Sequence, residues 1–559
     1  MSRPWRNFAL FIFVGALAFS GFFGNRLLAV SGDTQDQIRL YTELLQAAHA
    51  NYGDDVQYKD LIYSSIEGML RSLDPHTNFL SPEDYENMRE RQQGSFFGLG
   101  ILVSKRNGEL TVISPIEGTP AWRLGLRAGD VISTIEGEPT LSMSLDEAVT
   151  KLKGPKGTEV RVGITRRGVE EPIAMEITRA EIPQNTVRYA YMMTPETGYI
   201  RLTDFSRSTG REMREALDKL TEEGMSQLLL DLRSNGGGLL DQTVTVSNFF
   251  VPEETRIVET RGRLSDSDQT FFSDGAYQPL DVPVVVLVNN GTASAAEILA
   301  GAIQDHDIGL VAGNPTWGKG LVQTVYNLSY GAGVALTTAK YYTPSGRLIQ
   351  RDYSSYYDYY THFEQAEGAG IETAGGDQVP ELEVEGEVDV FSTDLGRKVY
   401  GGGGITPDVN LEIPDGPQIL TTLFANNAFF QFAVDYQSQN SVSDRSWQPP
   451  EDLIERFGEW VEAEELTTPE ALEEMLTDPA ARDYVIRQIH ADVFNSAFGT
   501  EASHQILAEG DAQIQSALEL FDDARKLLEK RHALGKVPPK VAATETPETV
   551  TAGAGGAPN

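Results

Sequence analysis

Three side chains in two short segments offer a hydroxyl, an amine and a carboxamide. Ser294 lies in GTASAAE at residues 291–297, and Lys319 and Gln323 lie in TWGKGLVQT at residues 316–324. A serine hydroxyl becomes a nucleophile when a base takes its proton, and a lysine can be that base if it is held neutral. Lysine in water has a pKa of about 10.4, so this role requires burial, which disfavours the ammonium form. Gln323 follows Lys319 at a spacing that lets its carboxamide orient the amine.

The surrounding sequence predicts the elements that must position these groups. VVVLV at residues 284–288 predicts a buried strand, and NNG at residues 289–291 predicts a tight turn. Ser294 then opens an apolar helix, and a strand, turn and helix in this order project the first helical side chain from the sheet edge. One alternative stays open. Ser294 and Glu297 also form an S-x-x-E capping box, which would only satisfy amides at the helix start.

A glycine run could supply hydrogen-bond donors. QLLLDLR at residues 227–233 predicts a buried strand, and Gly236, Gly237 and Gly238 follow it closely. Glycines let backbone amides converge on one point, and an acyl-transfer enzyme needs such donors where the oxyanion develops. A plain loop between strand and helix is the alternative. The spacing does not fit G-x-x-x-x-G-K-[ST], so a phosphate cradle is not expected.

Composition and spacing exclude several other kinds of site. His306 would lie about 18 Å along the helix from Ser294 at ~1.5 Å per residue, too far to take its proton. The chain has no cysteine, which excludes a thiol nucleophile and a cysteine-rich zinc site, and it has no H-E-x-x-H segment. We expect neither a metal nor a cofactor. The net charge of −37 repels phosphate backbones, so nucleic acid is not an expected partner.

Five segments in this order resemble the carboxy-terminal processing peptidases, which are PDZ-containing serine peptidases with a Ser–Lys dyad. The segments are DLRSNGGG, GTASAAEILAGAIQD, GNPTWGKGLVQT, YYTPSGR and GGGGITPDV. The resemblance runs from about residue 33 to residue 409. It implies that Ser294 is the nucleophile, that Lys319 is the general base and that Gln323 positions Lys319.

The resemblance also implies an oxyanion hole and a fold. The hole would use the amide of Ala295 and one amide of the glycine run. We assign the second to Gly237, because relatives often have proline at the position matching Gly236. The implied fold is multidomain α/β, with an α/β peptidase core of the ClpP/crotonase-like kind, an inserted PDZ domain and flanking helical regions.

The segment at residues 94–180 resembles a complete PDZ domain. FFGLGILV at residues 96–103 places a Gly-Leu-Gly turn before an apolar strand, and AWRLGLRAGDVISTIEGEP follows. Amides at such a turn can bind a peptide's terminal carboxylate while the peptide adds a strand to the sheet. By this resemblance Leu99, Gly100 and Ile101 supply the carboxylate-binding amides.

The whole chain is predicted to contain six parts. They are a signal peptide or membrane anchor (1–31), an N-terminal helical region (33–93), the PDZ domain (94–180), the peptidase core (181–415) with an insertion (351–399), a C-terminal helical region (416–535) and a disordered tail (536–559). Arg3 and Arg6 precede an apolar run at residues 8–23. A cleaved signal and a retained anchor both export the chain, to the periplasm or cell envelope.

Two segments suggest contacts between copies of the chain. SLDPHTNFLSPEDY at residues 72–85 resembles the linker helices that pair protomers in this family, which predicts a homo-oligomer. A helical cap on the PDZ domain alone is the alternative. The tyrosine-rich, acidic insertion at residues 351–399 is a candidate lid or partner contact, with an ordinary surface loop as the alternative.

These features together predict an exported serine endopeptidase. Its PDZ domain would recognise protein or peptide substrates with accessible C-termini, and the Ser–Lys dyad would cleave them through an acyl-enzyme. The alternative is a catalytically silent, PDZ-type peptide-binding scaffold in which Ser294 only caps its helix. A binder has no need to retain Ser294, Lys319 and Gln323 together, which favours the enzyme.

Overall fold

The computed structural model describes residues 32–353, 389–412, 418–440 and 442–535. Three predicted segments lie wholly or largely outside these ranges: the signal peptide or anchor (1–31), most of the insertion (351–399) and the tail (536–559). Within the described ranges, no helix combines the length and apolar character that crossing a bilayer requires. The chain divides into two compact units, and the first holds residues up to Ser81 together with Val325–Leu336.

The first unit contains two helices and a short strand. These are α1 (Gly32–Asn51), α2 (Tyr58–Arg71) and β1 (Asn78–Leu80). The turn before β1 is organised by Asp74, whose carboxylate accepts the backbone N–H groups of His76 and Thr77, each at 2.8 Å. β1 then pairs antiparallel with residues 333–335.

In the second unit, residues 94–180 form a small antiparallel sheet with two helices. Its strands are β3 (Ile101–Arg106), β4 (Glu109–Pro115), β5 (Val131–Ile135), β6 (Glu138–Pro139), β7 (Glu159–Thr165) and β8 (Ile173–Thr178), and its helices are α4 (Pro120–Arg123) and α5 (Leu145–Leu152). Before it lie α3 (Pro82–Gln93) and β2 (Ser95–Gly98), and β2 pairs antiparallel with β9 (Ala180–Pro183) in a separate two-stranded sheet. The strand order is β3-β4-β5-β7-β8, so β3 lies at an edge. β7 buries Val160, Val162 and Ile164 on one face, as period-two alternation requires.

The next residues form a six-stranded sheet in the order β10-β11-β12-β15-β16-β21, parallel except for β10. Three helices, α6 (Thr209–Glu222), α7 (Leu240–Ser247) and α8 (Ala295–Asp305), pack on one face of this sheet.

The strands from here to the C-terminal helices are β10 (Val187–Met192), β11 (Thr197–Leu202), β12 (Gln227–Asp231), β13 (Arg256–Gly262), β14 (Gln269–Phe272), β15 (Val284–Val288), β16 (Leu310–Gly313), β17 (Leu321–Asn327), β18 (Gly333–Tyr342), β19 (Val390–Ser392), β20 (Lys398–Tyr400) and β21 (Val409–Asn410). β13 pairs antiparallel with β14 and β18, and β19 pairs with β20. The prediction of a multidomain α/β chain with helical regions is confirmed.

Eight helices end the described chain. They are α9 (Gln418–Ala425), α10 (Ala428–Gln439), α11 (Leu453–Ala463), α12 (Pro469–Thr477), α13 (Pro479–Phe498), α14 (Thr500–Ala508), α15 (Ala512–Glu519) and α16 (Phe521–Ala533). A parallel sheet must be covered on both faces. Residues of α15 and α16 supply the second cover, because Ile514, Ala517 and Phe521 pack against Leu229 and Val285 of the six-stranded sheet.

The earlier C-terminal helices contact the small antiparallel sheet. The Arg106 guanidinium at the end of β3 lies 4.3 Å from the centre of the Phe430 ring on α10. The Asn495 side chain on α13 donates to the backbone oxygen of Ile113 at 3.3 Å. A Cβ atom added at Gly129 would meet Val434 of α10 at 2.6 Å, so the contact is close. The C-terminal helices therefore touch both the small sheet and the six-stranded sheet.

Candidate active site

Ser294 occupies a strained position between β15 and α8. Its φ of 57° and ψ of −117° lie where a residue with a side chain is rarely found. Such strain persists only when neighbouring structure fixes it. Here the preceding turn is fixed by Thr292, whose hydroxyl donates to the Leu232 backbone oxygen at 2.9 Å and accepts from the Asn289 N–H at 3.0 Å. The predicted strand, turn and helix are present in the predicted order.

Glu297, the third residue of α8, is completely buried. Its Oε2 accepts the backbone N–H of Ser294 at 2.8 Å and that of Lys319 at 2.9 Å. Its Oε1 accepts the Thr316 hydroxyl at 2.5 Å and the Gly318 N–H at 2.8 Å. Burial raises the pKa of the Glu297 carboxyl, and these four hydrogen bonds oppose the rise. One carboxylate therefore joins the segment of Ser294 to the segment of Lys319.

Lys319 lies just before β17, and its side-chain nitrogen is hydrogen-bonded to Gln323. Lys319 Nζ donates to Gln323 Oε1 at 2.7 Å, as the spacing predicts. The backbone around Lys319 is held on several sides. Tyr341 donates its hydroxyl to the Lys319 backbone oxygen, and the Trp317 N–H donates to the Thr292 oxygen at 2.9 Å. The Lys319 segment is thus attached to the Ser294 segment at two residues, Thr292 in the turn before Ser294 and Glu297 in α8.

The glycine run lies directly against the start of α8. A Cβ atom on Gly237 would come within 2.8 Å of both the Ser294 Cβ and the Ala295 nitrogen, and the Gly237 φ is 100°. Only glycine fits there. The amide of Gly237, which the sequence assigns to an oxyanion hole, donates to Asn235 Oδ1 at 2.9 Å in this structure. Ala295 is the first residue of α8, where a backbone N–H has no partner within its own helix.

Asn235 is a residue that sequence reasoning missed. It is completely buried, and its side-chain Nδ2 donates to the Leu202 oxygen at 2.9 Å. Its backbone oxygen accepts the Ala293 N–H at 2.9 Å, which ties the glycine run to the turn before Ser294. A single amide side chain at the mouth of a glycine run was the only available signal. From the sequence, Glu297 is predicted only as half of a capping box.

The Gly-Leu-Gly turn of the small sheet is fixed from one side. The Leu99 oxygen accepts the Ala121 N–H at 3.0 Å, and the Gly100 oxygen accepts the Ile116 N–H at 2.9 Å and the Thr119 hydroxyl at 3.0 Å. Gly100 has a φ of 79°, and a Cβ there would meet the Thr119 side chain at 2.2 Å. Leu99, Gly100 and Ile101 therefore form a shaped turn at the start of the edge strand β3.

His306, which the sequence excludes as a base for Ser294, has other hydrogen-bond partners. His306 Nδ1 pairs with Asp394 Oδ2 at 2.8 Å, and His306 Nε2 lies 2.7 Å from the Arg256 oxygen. In the described part of the chain, no three or more His, Cys, Asp or Glu side chains are grouped as a metal ion would require.

Residues 196–354 match peptidase family S41, and residues 111–166 match the PDZ domain. A carboxy-terminal-processing protease of Bartonella bacilliformis is 38% identical over 322 residues, which are 57% of this chain and 74% of the relative. The chain belongs to the carboxy-terminal processing proteases of family S41. It is a serine-type endopeptidase with a PDZ domain.

Two further proteins are similar over about half of this chain. A carboxyl-terminal-processing protease of Synechocystis sp. is 41% identical over 295 residues, which cover 52% of this chain and 68% of the relative. The solved structure of a photosystem II D1 C-terminal processing protease is 33% identical and covers 56% of this chain and 90% of its own, with a TM-score of 0.32.

We expect Glu297→Gln to lower kcat roughly 10- to 100-fold. The NH2 group of the glutamine would replace one carboxylate oxygen, and it would then face the two donors that this oxygen accepts. Unsatisfied buried donors cost about 1–3 kcal/mol, and about 1.4 kcal/mol is a tenfold change in rate. The assay is cleavage of an unfolded protein, normalised to folded enzyme by circular dichroism. Glu215→Gln, at an exposed carboxylate on α6, is the control. Unchanged kcat in folded Glu297→Gln would contradict the role of Glu297.

Proposed function

We propose that this S41 peptidase cleaves its substrates with a dyad of Ser294 and Lys319. The proposal is supported chiefly by the shared carboxylate of Glu297, which binds both backbone segments, and by the Lys319–Gln323 hydrogen bond. Gln323 accepts from Lys319 Nζ and so limits the directions that the amine can take. The backbone of each reacting residue is thereby held before substrate arrives, which is what proximity catalysis requires.

In the proposed reaction, neutral Lys319 takes the proton of the Ser294 hydroxyl while Ser294 Oγ attacks the scissile carbonyl carbon. The carbonyl oxygen becomes an oxyanion, which accepts hydrogen bonds from the amides of Ala295 and Gly237. The Lys319 ammonium then gives its proton to the leaving amine, and an acyl-enzyme remains. Water attacks the acyl-enzyme with Lys319 as the base and releases the second product. Gly237 can take part only after its N–H leaves Asn235 Oδ1.

The substrates proposed for the enzyme are proteins or peptides with accessible C-termini. β3 is an edge strand, so an extended peptide can pair with it, and the turn at residues 99–101 lies where the peptide's carboxylate would end. The names of the curated relatives, carboxy-terminal-processing proteases, agree with such substrates.

The proposed location is outside the cytoplasm, in the periplasm or cell envelope. Arg3 and Arg6 followed by the apolar run at residues 8–23 support an export segment, which is either cleaved or retained as an anchor in the inner membrane.

The proposed assembly is a homo-oligomer formed through the first unit. Leu40 and Leu44 lie four residues apart on one face of α1 and are 61% and 65% exposed. Met69 in α2 and Leu73 just after it are 60% and 62% exposed. Exposed apolar side chains that group into a patch mark protein interaction sites.

The dyad is tested by wild type, Ser294→Ala, Lys319→Ala and Lys319→Arg, each lacking residues 1–31, on an unfolded reporter protein. We expect cleavage by wild type alone. Lys319→Arg keeps the positive charge but cannot be deprotonated, so its inactivity would identify proton abstraction as the lost step. Equal cleavage by all four proteins would mean another nucleophile or a contaminant. Binding without cleavage by any of them would mean a scaffold.

Peptide recognition is tested in the Ser294→Ala background with the C-terminal decapeptide of the reporter. We expect amidation of the peptide to weaken binding about 10-fold or more, because charged hydrogen bonds are worth about 1.5–3 kcal/mol. Gly100→Ala should weaken binding of the free acid similarly. Gly108→Ala is the control, because Gly108 also has a positive φ but a Cβ there meets nothing within 4 Å. Equal affinity for acid and amide would refute this carboxylate site.

Oligomerisation is tested by sedimentation velocity on the double variant Leu40→Glu, Leu44→Glu. We expect wild type to sediment as an oligomer and the variant as a monomer, because two buried carboxylates at an interface cannot be accommodated without partners. Leu264→Glu, which is 60% exposed in the second unit, is the control. The proposal fails if wild type is monomeric or if the double variant keeps the assembly.

A further inference from the structure

The C-terminal helices contact the segment that leads into the glycine run. Arg233 lies two residues before Asn235, and its Nη1 donates to Gln513 Oε1 at 3.1 Å. The same nitrogen lies 2.9 Å from Asp511 Oδ2 and 3.1 Å from Asp511 Oδ1. Asp511 and Gln513 lie far outside residues 196–354, the part of the chain that matches family S41. Two acceptors from a distant region therefore hold the side chain of a residue that shortly precedes the glycine run.

The two acceptors are themselves fixed. Asp511 is the N-cap of α15, and its Oδ1 accepts the Ile514 N–H at 3.0 Å. Gln513 is 3% exposed, and its Nε2 donates to the Leu411 oxygen at 3.0 Å and to Asn314 Oδ1 at 3.1 Å. α15 is held in turn by its apolar packing on the six-stranded sheet. Arg233 thus meets a preformed pair of acceptors rather than flexible surface groups.

The other side of Arg233 faces a completely buried carboxylate, Asp231. Arg233 Nη2 donates to Asp231 Oδ2 at 2.8 Å, and Arg201 Nη1 lies 2.5 Å from Asp231 Oδ1. Burial alone would raise the pKa of Asp231, but the two guanidinium groups hold it below its usual range. The cluster thus contains two carboxylates, those of Asp231 and Asp511, and two guanidiniums, those of Arg201 and Arg233. Their formal charges cancel. Removing Asp511 leaves this buried cluster with an excess cation.

The cluster fixes the backbone that leads into the glycine run, which lies against Ser294. The Arg233 N–H donates to Asp231 Oδ1 at 2.9 Å, and its carbonyl accepts from Arg201 Nη2 at 2.7 Å, so both ends of this residue are fixed. The next N–H, that of Ser234, donates to Asn289 Oδ1 at 2.7 Å in the turn before Ser294. A displacement of Arg233 would therefore pass directly to the glycine run and to that turn.

We propose that Asp511 and Gln513 are positioning residues of the peptidase reaction: they hold Arg233, and through it the glycine run, so that backbone amides meet the developing oxyanion. This inference rests on the proposed dyad mechanism. Catalytic donors must be held to within about 0.5 Å of their productive geometry, which a loop containing three successive glycines cannot achieve alone. The C-terminal helical region is then part of the catalytic structure as well as a cover for the sheet.

The test compares Asp511→Asn, Gln513→Met and the double variant in the otherwise full-length enzyme. Asparagine caps helices about as well as aspartate, so Asp511→Asn keeps the start of α15 while removing the charge. Methionine keeps the length of glutamine and removes its acceptor. Gln515→Met, exposed on the same helix, and Asp523→Asn, in an exposed pair with Lys526, are the matched controls.

The readouts are kcat, KM and the affinity for a peptide aldehyde with the sequence preceding the reporter's cleavage site. Ser294 Oγ adds to the aldehyde carbon and its proton passes to Lys319, so the former aldehyde oxygen occupies the oxyanion position. We expect the single variants to lower kcat and aldehyde affinity by the same factor, about 10-fold, with KM within 2-fold. This is less than the roughly 100- to 1,000-fold loss on removing an oxyanion donor outright. A merely structural role would lower the melting temperature and leave both quantities unchanged per folded enzyme.

Three outcomes are decisive. Parallel losses of kcat and aldehyde affinity in the single variants, absent in both controls, support the positioning role. Wild-type kcat and aldehyde affinity per folded enzyme in the double variant would overturn it, whatever the melting temperature. Aldehyde binding that survives Ser294→Ala would instead show that the proposed dyad mechanism is wrong. This result would distinguish failure of the dyad mechanism from failure of the positioning role of Asp511 and Gln513.

Discussion

The buried carboxylate of Glu297 is the interaction on which the site depends. Taking a carboxylate out of water costs several kcal/mol, so the group survives only if its oxygens are well satisfied. All four polar partners of Glu297 are donors, which matches the four lone-pair positions of an ionised carboxylate and leaves no acceptor for a protonated one. Charged hydrogen bonds of about 1.5–3 kcal/mol each can offset that cost. The strained turn of Ser294 and the segment of Lys319 thereby become one rigid piece.

Buried ion pairs recur at two other places near the six-stranded sheet. Asp231 is buried against Arg201 and Arg233, and Arg347 is buried against Asp305. Asp231 directly ends β12, and Asp305 ends α8, so these charges sit where chain ends leave orphaned backbone groups. Breaking one partner of such a pair leaves an uncompensated buried charge. The glycine run and the turn of Ser294 are thus attached to elements that resist small displacements.

Much of this arrangement could be predicted from local sequence. VVVLV followed by NNG and an apolar helix predicts the elements around Ser294, and a four-residue spacing predicts the pairing of Lys319 with Gln323. The rest depends on residues distant in sequence. The capping-box pattern explains the bond from the Ser294 N–H to Glu297, but nothing local to Glu297 indicates that Thr316, Gly318 and Lys319 supply its other donors. Asp511 and Gln513 resemble any helix start, because their partner Arg233 lies in another region of the chain.

For Gly237, the sequence predicts why a glycine is needed but not the direction of its N–H group. Glycine is required at this position because a Cβ would collide with Ser294, so the residue type reports close approach to Ser294. Close approach does not specify where the N–H points, and here it points to Asn235. Because the Asn235 side chain also donates its Nδ2 to the Leu202 oxygen, it cannot release Gly237 by a free rotation. In the proposed mechanism the Gly237 N–H must therefore turn away from Asn235, by a rotation of the Gly236–Gly237 peptide, before it can donate to an oxyanion.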